Sequence, residues 1–296
     1  MTIYGIGYRR AEFAPEPAWR RLGPIASLEF RTIFRSRWGV ALFLGCLAPS
    51  VVNLVVMLMA MGVLRVGDMQ RRMAGDVGAQ FARWIPDRIE FYVEPIVQES
   101  TPLFLVLTAL VGCRAIAKDR STNALELYWT RGIGPLGYFA AKWLGSFLLL
   151  AMVGIAGPLL VWLTGVFIAE DWGFLGDTIG IVPRALAAHA VFCGELALLA
   201  MAISGSVRSP NFASVTWLLL IAGTGALAGV LGEILRGHQW PMHLSLYTAL
   251  SDLDRWIAGA PLEGASGQSA LLASGGYVAV MLLLMARSMR RRGAVA

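Results

Sequence analysis

Six long apolar runs constrain this chain more than any other feature. They fall near 39–64, 101–117, 139–168, 184–206, 213–235 and 269–287, and most of the charge lies between them. An α-helix rises about 1.5 Å per residue, so about 20 apolar residues cross the roughly 30 Å hydrocarbon core of a bilayer. The pattern predicts an all-α, polytopic membrane protein with six spans. The third run is overlong, which predicts tilt or extension past the bilayer. The second is the shortest.

Composition agrees with that reading. Residues of hydrophobic type make up 57% of the 296 and charged ones 15%, against about 25% charged in a soluble domain. No stretch is long and polar enough for a separate soluble domain, so residues 1–296 read as one membrane domain. The formal net charge is +6, almost all of it arginine; Lys118 and Lys142 are the two lysines. With the N-terminus inside, residues 1–38, 114–142, 207–212 and 287–296 face the cytoplasm and hold 17 basic residues against 8 elsewhere. Arginine and lysine favour the cytoplasmic side, which sets both termini inside. The basic balance thus reports topology in a lipid bilayer, and no nucleic-acid partner is expected. Residues 1–38 are polar and arginine-bearing, so no cleaved signal peptide is expected. Cys46, Cys113 and Cys193 sit in or beside apolar runs and read as buried hydrophobes, with no disulfide framework or zinc site.

The residues before the first run have their own pattern. Pro24 suits the first position of a helix that continues to about Arg37. Leu22, Ile25, Ala26, Phe30, Ile33 and Phe34 then share a broad face opposite Ser27, Arg31 and Arg35. Such a helix, over about 22–37, lies in the membrane interface. Glu29 falls on the apolar side, which points to a protein partner. Two outer segments also show helical spacing: Phe81, Trp84, Ile85, Ile89 and Tyr92 in 65–100, and Leu246, Tyr247, Leu250, Leu253, Trp256 and Ile257 in 236–268. Both are expected on the outer leaflet. Gly225 and Gly229 form a small-xxx-small pair, which predicts close packing of the fifth span on another helix.

The inside loop between the second and third runs is the most informative stretch. Asn123 followed by Glu126 is a capping-box pattern, which predicts a short helix from Ala124 carrying Leu125, Leu127, Tyr128 and Trp129. Glycines and Pro135 then end it. Apolar and aromatic side chains displayed on a short cytoplasmic helix mark a contact surface.

At these residues the chain resembles the permeases of ABC-2-type ABC transporters. Glu29, Phe30 and Arg31, with Arg35 and Arg37, match that family's elbow helix. Asp119-Arg120, Leu125-Glu126-Leu127, Thr130-Arg131 and Lys142 match its loop between the second and third spans. Asn123-Ala124 and Gly132-Ile133-Gly134 depart from the family's usual Gly-Thr and proline-containing turn, and the 65–100 segment is longer than in many relatives. The resemblance implies a coupling helix that docks on a cytoplasmic ABC ATPase through Asp119, Arg120, Leu125, Glu126, Tyr128, Trp129 and Arg131. It further implies a second permease copy or a related permease beside this one, in a bacterial inner membrane, with export the usual direction.

The chain contains no Gly-x-x-x-x-Gly-Lys-Ser/Thr loop. ATP and Mg would therefore bind on the partner ATPase, with no cofactor, catalytic residue or metal on this chain. Ser266 in Gly264-Ala265-Ser266-Gly267 resembles an intramembrane-protease motif, yet no histidine follows it in a later span. His189 and Cys193 share a helical face but supply only two ligands. Glu195 is the carboxylate placed deepest in a span, a candidate pathway residue because an unpaired charge there is costly. The rival to an ATP-driven permease is a polytopic membrane protein without an ATPase, such as a membrane-embedded enzyme or an assembly factor.

Overall fold

The structure is a computed structural model. It describes residues 18–61, 63, 86–125, 128, 134–169, 172–235, 238, 240–262 and 266–293. Among these the secondary structure is helical and no strand occurs. The helices are α1 (Ala18–Phe34), α2 (Arg37–Ala60), α3 (Glu90–Glu94), α4 (Thr101–Ser121), α5 (Pro135–Gly154) and α6 (Ala156–Ile168). They continue with α7 (Gly173–Thr178), α8 (Val182–Ser206), α9 (Pro210–Ile234), α10 (Leu246–Ala258) and α11 (Gly267–Gly293).

Five of the described stretches are long and apolar enough to cross a membrane: Arg37–Ala60, Pro135–Ile168, Val182–Ser206, Pro210–Ile234 and Gly267–Arg287. The second expected run belongs to a bent pair, the geometry of a broken span or of a re-entrant loop. Glu90–Gln98 and Pro102–Ser121 meet at 61°, joined through a π-helical turn over Pro95–Glu99. Ser100 pins that corner, its hydroxyl donating to the carbonyls of Cys46 and Pro95. The overlong third run is also divided, at Ile155 between α5 and α6. Pro158 explains the break, because it has no N–H for the carbonyl of Gly154 and its ring crowds that oxygen.

Three buried clusters stack along the bundle. Ile25, Ile116, Tyr138, Ala141 and Met201 form one at the end that carries α1. Phe104, Leu107, Leu149, Phe192, Leu196 and Trp217 belong to the large central cluster. Phe91, Val97, Val161, Val182, Ala185 and Ala258 belong to the third, at the opposite end.

Several sequence expectations need correction. Pro24 lies inside α1, which already begins at Ala18. The buried face of α1, Ile25, Ala26, Glu29 and Ile33, is covered by protein. Ala124, Leu125 and Tyr128 are helical, as the pattern predicts, but Asn123 before them has a φ of 55° where an N-cap is normally extended. That left-handed backbone ends α4, in the position where glycine or asparagine accepts the strain most cheaply. α4 accordingly runs to Ser121, so Lys118, Asp119 and Arg120 are helical and not in a loop. The expected outer surface helix, α10, is mostly inside: Leu246, Ala249, Leu250, Leu253 and Ala258 are buried, and Trp256 is exposed. The preceding turn, Trp240–Leu244, buries Pro241 and His243 and exposes Trp240 and Met242. There the Leu246 amide donates to Thr224 Oγ1 of α9, at 3.2 Å. Finally, of the predicted pair on α9, Gly229 has open space where a Cβ would stand and Gly225 meets Ser245 Oγ at 3.9 Å, so the pair makes no close helix-to-helix contact among the described residues. Phe81, Trp84 and Ile85 lie outside the described residues.

Candidate functional site

Three segments distant in sequence meet at the α1 end of the bundle. α1 reaches α5 closely because Gly145 has no side chain; a Cβ there would stand 2.5 Å from the carbonyl oxygen of Ala26. This approach brings Glu29 over the first turns of α5. Lys142 Nζ lies 2.9 Å from Glu29 Oε1 and 3.0 Å from Asp119 Oδ2. Tyr138 donates to the same Asp119 oxygen at 2.7 Å. All four groups are buried, so one ammonium and one phenol serve two carboxylates away from water. Burial raises the Glu29 carboxyl above its ordinary value, and the Lys142 ammonium opposes that rise. Each partner is needed, because a lone charge in such a place costs several kcal/mol, on the order of the pair's own attraction.

Arg120 turns the other way. Its guanidinium donates to the carbonyls of Gly205 and Val207 at the C-terminal end of α8. A cation there satisfies carbonyls that the helix leaves without partners. Ser204 completes the junction, its hydroxyl accepting from the amides of Ile116 and Ala117 at 3.0 and 2.9 Å. α4, α5, α8 and α1 are thus tied at one end by ions and hydrogen bonds.

Of the predicted contact segment, Leu125 and Tyr128 are described. Both are half-buried against the cluster of Ile25, Ile116 and Tyr138. The Tyr128 and Tyr138 rings lie 5.2 Å apart. Glu126, Trp129 and Arg131 lie outside the described residues. On α1, Phe30 is half-buried while Arg31 and Arg35 are exposed. Glu195 is half-buried near the middle of α8, and its Oε2 is buried with no hydrogen-bond partner among the described residues.

A second polar cluster, at the opposite end, was missed. His189 of α8 contacts Asp254 of α10 at 2.9 Å, and both side chains are fully buried. Arg255 Nη2 donates to Glu94 Oε2 at 3.1 Å. Asn53 Nδ2 donates to the carbonyl of Phe91 at 2.6 Å. The signal was present, because α10 carries Asp252, Asp254 and Arg255 among its apolar residues, but a surface helix shows the same alternation.

Beside this cluster, Ser269, His243 and Asp252 stand in a row. Ser269 Oγ is 3.0 Å from His243 Nε2, but His243 Nδ1 is 4.0 Å from Asp252 Oδ2. That second gap exceeds a hydrogen bond. Ser269 Oγ also donates to the Ser266 carbonyl at 2.7 Å. The group closes the first turn of α11 and does not form a nucleophile–base–carboxylate relay. No group of three or more His, Cys, Asp or Glu side chains positioned to hold a metal occurs among the described residues. No protein-family model matches the chain, and no curated protein matches it in sequence.

Proposed function

We propose that this chain is the membrane-spanning permease subunit of an ATP-driven ABC transporter of the ABC-2 type. The observation that carries the reading is the Glu29–Lys142–Asp119 cluster. The three sequence patches that resemble the family, the elbow, the end of the second span and the start of the third, converge there on one ammonium. Leu125 and Tyr128 pack against the same end.

In this reading the α1 end is cytoplasmic. The segment 119–134 is the coupling element, and a separate cytoplasmic ATPase binds beneath it with ATP and Mg. Closure of the ATPase pushes on the coupling segment. The ion cluster makes α1, α4 and α5 one rigid block, so the push reaches the spans without loss at a flexible joint. A second permease copy or a related permease lies alongside in a bacterial inner membrane. The thin burial of α9 supports that arrangement, since only Ala213, Trp217 and Ala228 of it are buried in this chain. The direction is export, as the resemblance implies.

The experiment is affinity purification in mild detergent from the native host. A P-loop ATPase should accompany this chain in stoichiometric amount, and replacing Leu125 and Trp129 with Asp should release it while the chain still inserts. A chain that purifies without any ATPase contradicts the proposal and favours the rival, a membrane protein that works alone.

A further inference from the structure

His189 has an unusual pair of partners. Its Nδ1 is 2.9 Å from Asp254 Oδ1, and its Nε2 is 3.1 Å from the carbonyl oxygen of Tyr92. A carbonyl oxygen only accepts, and so does an ionised carboxylate. A neutral imidazole carries one N–H and one lone pair. With Asp254 ionised, a neutral ring would set its lone pair against one of the two oxygens, in a place where the His189 side chain is fully buried. An unmade hydrogen bond at a buried group costs free energy on the order of 1–3 kcal/mol. One more proton removes the conflict, either as an imidazolium donating from both nitrogens or as a protonated Asp254 donating to Nδ1. Both forms are also neutral as a pair, which suits a buried site.

We propose that the His189–Asp254 pair is a proton-binding site, and that the bound proton staples α3 and α10 to α8. Other contacts make α3 and α10 a joined unit. Arg255 of α10 donates to Glu94 of α3. Tyr247 of α10 donates to the carbonyl of Val97 just beyond α3. His189 then holds this unit to α8 at both members, one ring nitrogen for each. The groups around the ring are Asp254, the Tyr92 carbonyl and the thiol of Cys193 one turn further along α8, with Arg255 and Glu94 paired to each other and Arg184 and Glu90 toward the end of the bundle. α4 and α5 carry their charged side chains at the far end, and α6 has none. Loss of the proton leaves a carboxylate without its counter-charge or a lone pair against an oxygen. The staple is therefore present at low and neutral pH and lost as pH rises. This inference is independent of whether an ATPase binds.

Three histidines, His189, His238 and His243, make the test direct. The probe is nitrogen-15 NMR of histidine-labelled protein in lipid, with His189 assigned by its loss in His189→Gln and by the simpler spectrum of His238→Gln/His243→Gln. Infrared spectra with and without Asp254→Asn report the carboxyl. At neutral pH the expected result is an imidazolium at His189, or a protonated carboxyl at Asp254. A neutral ring beside an ionised carboxylate overturns the proposal. The structural half is read by hydrogen exchange over 246–258, normalised at each pH to an unstructured peptide. Protection should fall at least tenfold as the proton is lost, and should persist at high pH in Asp254→Asn, whose amide N–H can donate to Nδ1 as the protonated carboxyl does. Protection that persists after NMR shows deprotonation contradicts the staple. The deciding spectra and exchange curves are those of unmutated protein, so a variant that fails to fold does not decide the outcome.

Discussion

Removing the Lys142 ammonium would leave Glu29 and Asp119 facing each other in a buried pocket. Lys142→Met should therefore cost about 3–5 kcal/mol, the range for breaking a buried pair from one side. Glu29→Gln keeps a hydrogen-bond acceptor for Lys142 and leaves Asp119 as its counter-charge, so it should cost less. Thermal unfolding in detergent measures both, and equal losses would show that the three groups do not act as a unit. Asn123 tests the end of α4 in the same way. With φ at 55°, Asn123→Gly should be neutral or slightly stabilising, while Asn123→Val should cost roughly 1–2 kcal/mol through the Cβ clash of left-handed backbone. At this scale the sequence was partly legible. Glu29 stood out because it lay on an apolar face, and that oddity pointed to a protein partner. The identity of its partner was less visible, since Lys142 is 113 residues away. His189 and Asp254 were harder still, each looking ordinary in its own segment until the fold brought them together over 65 residues.

Whether α1 stays seated on α5 depends on Gly145. A side chain there must displace the Ala26 carbonyl, which stands 2.5 Å from the ideal Cβ position. Gly145→Val should lift α1, break the Glu29–Lys142 pair and expose the elbow to protease at Arg31 or Arg35; unchanged digestion would contradict the close seating. On α8, Glu195→Gln keeps the shape of the side chain and removes its charge. On the proposed function it should fold and still bind an ATPase partner, yet lose substrate-stimulated ATP turnover; full turnover would assign Glu195 a packing role instead. Element positions were legible wherever hydropathy is a local property, as for α2, α8, α9 and α11. The failures share one cause. Amphipathic spacing shows that a helix has two faces but not what covers the apolar one, so α10 read as lying on the membrane when protein surrounds it. The break at Ile155 was also obscured, because apolar residues continue across Pro158 without interruption.

The molecule as a whole is a helical bundle with buried charge concentrated at its two ends. One end ties the three segments that resemble the family's elbow and loop; the other ties α3, α8 and α10. Arginine placement predicts an orientation: a reporter fused at Ala296 should read cytoplasm, and one inserted near Gly78 should read the outside. Two reporters on the same side would refute the six-span arrangement. The central claim, that this chain transmits the work of an ATPase, expects the ATPase contact at the segment around Trp129. A photo-crosslinking amino acid at position 129, introduced in cells and purified in lipid, tests it directly. The account predicts a crosslink to a P-loop ATPase whose yield changes between the ATP-free and vanadate-trapped states. Crosslinks only to lipid or to this chain itself, in both states, would contradict it.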